Sequence, residues 1–309
     1  MDKLLAYASY RVIQRFGSPT SGTVEGLWFN KVMSLLDHEI KKKQAKYREG
    51  LKLPHCWYWW GDRVVLRRGH MPDELRLEDP EIFDGKRSRF RWDGDRPEDP
   101  PSRDRKVVNS LVDSLRNLYP QNGEGLRRIV DDVYSYAPYE FQRLYAAFRT
   151  DYRERVDPQV KPLQRTILRA DLKKAVAGFP FKDFPELIVE ATATGVLGNA
   201  LLAEDDDVAT RLAIQTARAF WEEAFCAVLI TTEKGYDYVS DQVVDEWREE
   251  AIDRLARFNV EFQRHAERAV SSFKLKSFNE DPVARTFIHP NDWGSGTEDS
   301  SLVDSSMYQ

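Results

Sequence analysis

The sequence predicts a mainly α protein in which a small α/β module precedes a helical bundle. Three observations predict it. Apolar residues recur at steps of three and four along most of residues 106–273, the spacing that lines one face of an α-helix. The strand-like run, Trp57-Tyr58-Trp59-Trp60-Gly61-Asp62-Arg63-Val64-Val65-Leu66, lies near the front and is aromatic and β-branched. The 309 residues are 41% hydrophobic and 31% charged. That is length enough for a sizeable core and charge enough to clothe many exposed helix faces.

At the front, Asp2 to Phe16 reads as a helix with Leu4, Leu5, Ala8, Val12 and Ile13 on one face; Gly17 and Pro19 stop it. Ser18 to Gly22 is a turn, and Ser21 or Thr23 can cap a second helix over about Val24–Arg48. Its apolar stripe, Leu27, Trp28, Val32, Leu35, Leu36 and Ile40, ends before the basic run Lys41-Lys42-Lys43-Gln44-Ala45-Lys46. The segment Leu53 to Arg68 reads as a β-hairpin turning at Gly61-Asp62. A further short strand is predicted at Arg87–Trp92. Leu77 to Lys106, with Pro97, Pro100 and Pro101, reads as a long loop and a boundary.

Behind it, helices are predicted over Val107–Leu118, Leu126–Tyr136, from Pro138 through Tyr152, Leu163–Val176, Phe184–Ala203 and about Val208–Thr231. Pro185 suits a first turn, and Asp205, Asp206 and Asp207 suit a helix start. In the last helix the apolar positions from Val244 to Phe273 are spaced 3, 4, 4, 3, 4, 4, 3, 4. That is an eleven-residue period, which belongs to a nearly straight helix in a bundle. The expected organisation is a front module over 1–105, a bundle over 106–275 and a polar tail over 276–309.

The charge is uneven. Residues 1–70 hold 13 Lys and Arg against 6 Asp and Glu, and residues 156–309 hold 17 against 27, within a chain of net charge −5. Such asymmetry suits a front that faces a polyanion and a rear that faces solvent or a partner. No apolar run approaches the ~20 residues of a membrane span, and Met1–Phe16 carries Asp2, Lys3, Arg11 and Arg15 where a signal peptide would be uninterrupted. A cytoplasmic protein without a membrane anchor is expected. Cys56 and Cys226 make no metal-ligand spacing, and no structural disulfide is expected.

No catalytic motif is readable. The histidines show no HxxxH or HExxH pattern, and Glu261 with His265 gives no repeated Glu-x-x-His pair. His55 and Cys56, adjacent in a strand, face opposite sides. Asp37, Glu39 and Lys41 lie in a helical pattern, unlike the strand-borne acidic sets of metal-dependent nucleases. Gly195-Val196-Leu197-Gly198 is too short for a phosphate loop. Cofactors, metals and catalytic residues are therefore not expected, with a site assembled from scattered residues as the enzymatic alternative.

Helix, turn, helix and an Arg-rich hairpin is the order of a winged helix, in which a helix enters the major groove and a wing touches the backbone. Lys41, Lys42, Lys43, Lys46, Arg48, Arg63, Arg67 and Arg68 are the expected phosphate contacts. The stretch Thr23–His38, with Leu27, Lys31 and Leu35-Leu36, followed by Trp57-Tyr58-Trp59-Trp60-Gly61-Asp62, resembles the front of small prokaryotic winged-helix proteins, including antitoxin-like modules. In those a helix with a Lys and paired leucines precedes an aromatic strand ending in Gly-Pro; Asp62 stands in the place of that proline. The resemblance spans about a quarter of the chain and implies binding or regulation, with no catalytic residue carried over. The expectation is a nucleic-acid-binding regulator, or a subunit of a DNA-processing or antiviral defence assembly. It meets DNA through the front and a protein partner, or its own copy, through the helical body. The rival binding reading is an adaptor whose winged helix is a protein interface.

Overall fold

The computed structural model describes residues 3–43, 50–58, 61–65, 69–78, 88–155 and 162–273. The chain is mainly helical. Helix α1 is Lys3–Phe16, and it buries Leu5, Ala8, Val12, Ile13 and Phe16 as their spacing requires. The next helix, α2, is Gly26–Lys43. It begins two residues later than expected because Val24–Glu25 is a short strand, β1, paired with Phe90 and Arg89. α2 is not amphipathic in place: no residue from Gly26 to Lys41 is exposed, and Lys31, Ser34 and Asp37 are as buried as its leucines. Such all-round burial makes α2 the central helix of the front.

Two three-stranded antiparallel sheets flank it. Strands β2 (His55–Tyr58) and β3 (Gly61–Val64) form the expected hairpin. The third strand of that sheet, β6 (Tyr236–Asp237), arrives from far along the chain and pairs with β2. The other sheet has the order β1-β5-β4, with β4 at Leu75–Glu78 and β5 at Arg89–Trp92. β4 thus occupies the start of the stretch read as loop.

The hairpin register corrects the sequence reading. Gly61-Asp62 is not the turn; Gly61 pairs with Tyr58, and both residues belong to β3. Gly61 has a φ of 84°, and a Cβ there would lie 3.2 Å from both Lys31 Nζ and the Tyr134 ring. The glycine is needed for the close approach of two helices to the strand, besides its left-handed backbone.

The body follows as α3 (Ser102–Leu118), α4 (Gly123–Ser135), α5 (Glu140–Arg155), α6 (Pro162–Ala177), a 3₁₀ turn at Pro185–Leu187, and α7 (Ile188–Leu201). After α8 (Asp207–Ala219) the helix widens to π form over Phe220–Phe225 and closes as α9 (Cys226–Leu229). The single helix expected over Val208–Thr231 is therefore three segments. The start signal at Asp206 holds, accepting from Val208 N and Ala209 N at 2.7 and 2.9 Å, and Asn122 caps α4 by accepting from Gly125 N at 2.8 Å. Helix α3 packs on α1 and α2, α4 on α2 and β3, and one apolar core runs from Leu5 to Ala269 among the described residues. The expected boundary at 105/106 falls inside the first turn of α3, and the expected tail, 276–309, lies outside the described residues. Among the described residues no helix is long and apolar enough to cross a membrane.

Aromatic rings fill the rear of the core. Tyr145 stacks on Trp221 at 4.2 Å, and Phe141 meets Phe225 edge-on at 4.8 Å. The long helix α10, Asp241–Phe273, closes this core with Val244, Ala251, Phe258, Phe262, Ala266 and Ala269 buried, and Leu255 and Phe273 half-buried against it. The expected period is therefore followed, with one addition: Arg254, only 2% exposed, sits in the same face. Its guanidinium donates to Glu223 Oε2 at 3.1 Å and to the Glu222 carbonyl at 2.7 Å, both within the π segment. On its other side it lies 6.0 Å from the centre of the Tyr58 ring. One buried cation thus ties α10, the π segment and the hairpin together.

Replacing Arg254 with Met should lower unfolding free energy by about 3 kcal/mol, the typical cost of stripping one partner from a buried pair. Urea denaturation with an unchanged m-value would show it, and a loss below about 0.5 kcal/mol would remove Arg254 from this structural role.

Candidate nucleic-acid interface

The expected phosphate contacts scatter into three situations. Lys46, Arg48, Arg67 and Arg68 lie outside the described residues, as does the side chain of Lys43. Lys42 is exposed. Lys41 and Arg63 are engaged in the fold. Lys41 Nζ lies 2.8 Å from Asp37 Oδ2 and 3.3 Å from Asp237 Oδ2, so it clamps α2 to β6. Burial opposes its charge, but Asp37 and Asp237 outweigh that and raise its pKa. Arg63 is half-buried over the Tyr58 ring at 5.1 Å.

The hairpin carries no exposed residue among those described. Its His55, Trp57, Asp62 and Val64 face α2 and α4: Trp57 is buried against Tyr134 and Tyr136, and Asn30 accepts from Val64 N at 3.2 Å. The opposite face carries Cys56, which is buried beside Val65, Ile230 and Val243. His55 and Cys56 thus point apart as expected, and burial lifts the Cys56 thiol to about 12. Trp59 and Trp60 lie outside the described residues.

At the centre of the enclosed face is a pairing that sequence reading missed. Asp62, 2% exposed, holds His55 Nδ1 at 2.6 Å, while the ammonium of Lys31 donates to the Asp62 carbonyl at 2.7 Å. His55 and Asp62 stand diagonally on one face of the hairpin, which the correct register would have revealed. Burial disfavours the Asp62 carboxylate, yet the His55 imidazolium holds its pKa below the ordinary 3.8. Burial likewise disfavours the His55 cation, yet Asp62 holds its pKa above 6.5. The other described histidines have structural partners: His38 stacks on Tyr136 at 4.2 Å, His70 Nε2 accepts from Ser240 N at 3.0 Å, and His265 Nδ1 lies 3.1 Å from Thr216 Oγ1. Among the described residues no group of three His, Cys, Asp or Glu side chains is placed to hold a metal.

The open cationic surface lies elsewhere, in a cleft of about 400 Å³ between α1 and α3. Helix α1 contributes Tyr7, Tyr10, Arg11 and Gln14; α3 contributes Arg105, Lys106 and Asn109; Arg96 reaches in from the segment after β5. The four charged groups in the lining are all cations. Asp99 at the margin pairs with Arg96 and, at 2.6 Å, with Arg105. Tyr7 donates to Asn109 Oδ1 at 3.1 Å, and Arg11 Nη1 donates to Gln14 Oε1 at 2.9 Å. The Nε–H of Arg11 is buried and has no acceptor among the described residues. A buried charged donor without a partner is costly. The lining of cations, side-chain amides and tyrosines suits the binding of an anion.

Sequence reading missed this cleft because its four cations are scattered from position 11 to position 106 and the intervening stretch reads as a loop. One signal was present: Arg103, Arg105 and Lys106 crowd the start of α3, where only Asp104 is acidic. The positive end of the helix dipole disfavours cations there. Compared with protein-family models, curated proteins and solved structures, the chain matches none.

The His55–Asp62 pair makes a signed pH prediction. Its Asp62 part is present above pH 3.8 and lost as pH falls through the lowered pKa; its His55 part is present below pH 6.5 and lost as pH rises through the raised one. The stability difference between the wild type and His55→Asn should therefore be greatest between about pH 5 and 6.5 and shrink at pH 8 and above. Urea melts across that range test it; a difference that grows with pH would contradict the assignment.

Proposed function

We propose that this chain is a non-enzymatic nucleic-acid-binding protein, acting as a regulator or as a subunit of a DNA-processing or defence assembly. The reading rests on the α1–α3 cleft, where Arg11, Arg96, Arg105 and Lys106 line one cavity. Guanidinium forks match phosphate oxygens in pairs, and Lys106 adds a mobile point charge. The winged-helix resemblance supports a binding role. The burial of α2 and of the hairpin moves the proposed contact from those elements to the outer face of α1 and the start of α3. The helical body is proposed to carry the protein contact. Ile252 and Val260 favour this second contact, since they stand 71% and 60% exposed on α10.

Two measurements test these assignments. Affinity for mixed-sequence nucleic acid, followed by fluorescence anisotropy, should fall steeply from 50 to 200 mM salt. Lys106→Glu should weaken binding about tenfold and flatten the log–log salt slope by about one, whereas Asp113→Asn, which touches α1 through Arg15 outside the cleft, should leave it nearly unchanged. Equal binding by Lys106→Glu and the wild type would sink the cleft as the contact. For the body, Ile252→Asp should shift light-scattering mass toward the monomer if α10 mediates self-association; an unchanged mass rejects this face as a self-association surface.

A further inference from the structure

We infer that the cleft takes one nucleotide unit of a single-stranded nucleic acid in preference to a duplex; this rests on the nucleic-acid reading above. Duplex is read by an element that projects, a helix or a two-stranded ribbon laid in a groove. Among the described residues neither expected reader presents an exposed face. No residue of α2 from Gly26 to Lys41 is exposed, and none of the described residues of β2 and β3 is. The open cationic surface is instead concave. A rigid duplex touches a concave site only at its margin, whereas a flexible strand can enter it.

The lining matches the separate parts of a nucleotide. Arg11, Arg105 and Lys106 address the phosphate. Asp99 pre-positions the Arg96 and Arg105 forks, so less side-chain freedom is lost on binding. Tyr10 is half-buried and braced edge-on by Trp92 at a centroid distance of 5.6 Å, which makes it a fixed ring against which a base can stack. Gln14 accepts from Arg11 and donates to Tyr10, and Asn109 accepts from Tyr7, so the two amides hold the cleft's cation and rings in place. A volume of about 400 Å³ is within the range of sites that enclose a small organic ligand. Stacking and phosphate contact are shared by DNA and RNA, so the inference concerns the unpaired strand and not its sugar.

Fluorescein-labelled 12-mers of single-stranded DNA, single-stranded RNA and the corresponding DNA duplex, titrated at one salt concentration, provide the test. At least one single strand should bind about tenfold or more tightly than the duplex, and which strand does so assigns the sugar. Tyr10→Leu should erode that preference about tenfold while leaving the salt slope intact. Lys106→Glu, on an exposed side chain, should weaken all binding and flatten the slope, which keeps the test readable if Tyr10→Leu unfolds. Duplex binding equal to or tighter than both strands overturns the inference and leaves nucleic-acid binding standing. Binding to none of the three overturns both. Displacement of the strands by a free mononucleotide at equal nucleotide concentration also overturns the inference, because it assigns the site to a small nucleotide.

Discussion

The enclosed His55–Asp62 pair is the contact on which the front of the molecule is organised. Asp62 lies on β3, His55 on β2 and Lys31 on α2, with Asp62 and Lys31 buried. A buried carboxylate is tolerated only when counter-charge and donors surround it. That requirement fixes the hairpin register, because a one-residue slip of β3 would turn Asp62 to the face opposite His55. It also draws in the rear. Asp237 of β6 approaches the same cluster through Lys41, so a strand from beyond α9 is stapled to the central helix. The front and the body share one core because the polar network at its edge spans both.

On the other face of the hairpin, Arg254 plays the corresponding role with the sign reversed. A π segment widens one turn and displaces its carbonyls from the regular ladder. Arg254 answers this locally by taking the Glu222 carbonyl and the Glu223 carboxylate together. The same side chain lies near the ring of Tyr58, whose hydroxyl burial pushes up to about 12. The hairpin is thereby gripped from two directions, by an anion-centred network on the α2 side and a cation-centred one on the α10 side. The described strands of the hairpin are thus packed on both faces.

Long helices were legible in the sequence, and short pairings were not. Asn122 and Asp206 cap helices where a polar residue precedes an apolar period, and α10 follows the eleven-residue spacing nearly from end to end. β1 and β6, of two residues each, have no period to read. Gly61-Asp62 imitates a turn dipeptide, and only the proximity of Lys31 and Tyr134 shows why glycine is needed in the strand itself. Charge misleads for a related reason. A cation next to an apolar stripe reads as solvated, yet Lys31, Lys41 and Arg254 are consumed by internal partners. The cleft was illegible because its residues converge only through the packing of α3 on α1, although Arg105 and Lys106 at a helix start were locally out of place.

That misplacement bears on how an acidic chain can attract an anion at all. With a net charge of −5, the molecule as a whole repels polyanions at long range. At physiological ionic strength, however, charges beyond roughly 8 Å are largely screened, so the local set decides binding. In the cleft, that local set is Arg11, Arg96, Arg105 and Lys106, supplemented by the positive dipole end of α3. Asp99 neutralises part of it while the site is empty and limits the repulsion between Arg96 and Arg105. In the proposed complex an arriving phosphate would join forks already held in place, in a concavity where water screens less than at an open surface. The cost of crowding cations at a helix start is a local loss of stability, and it is the kind of local inconsistency that native sequences keep where a ligand supplies the compensation.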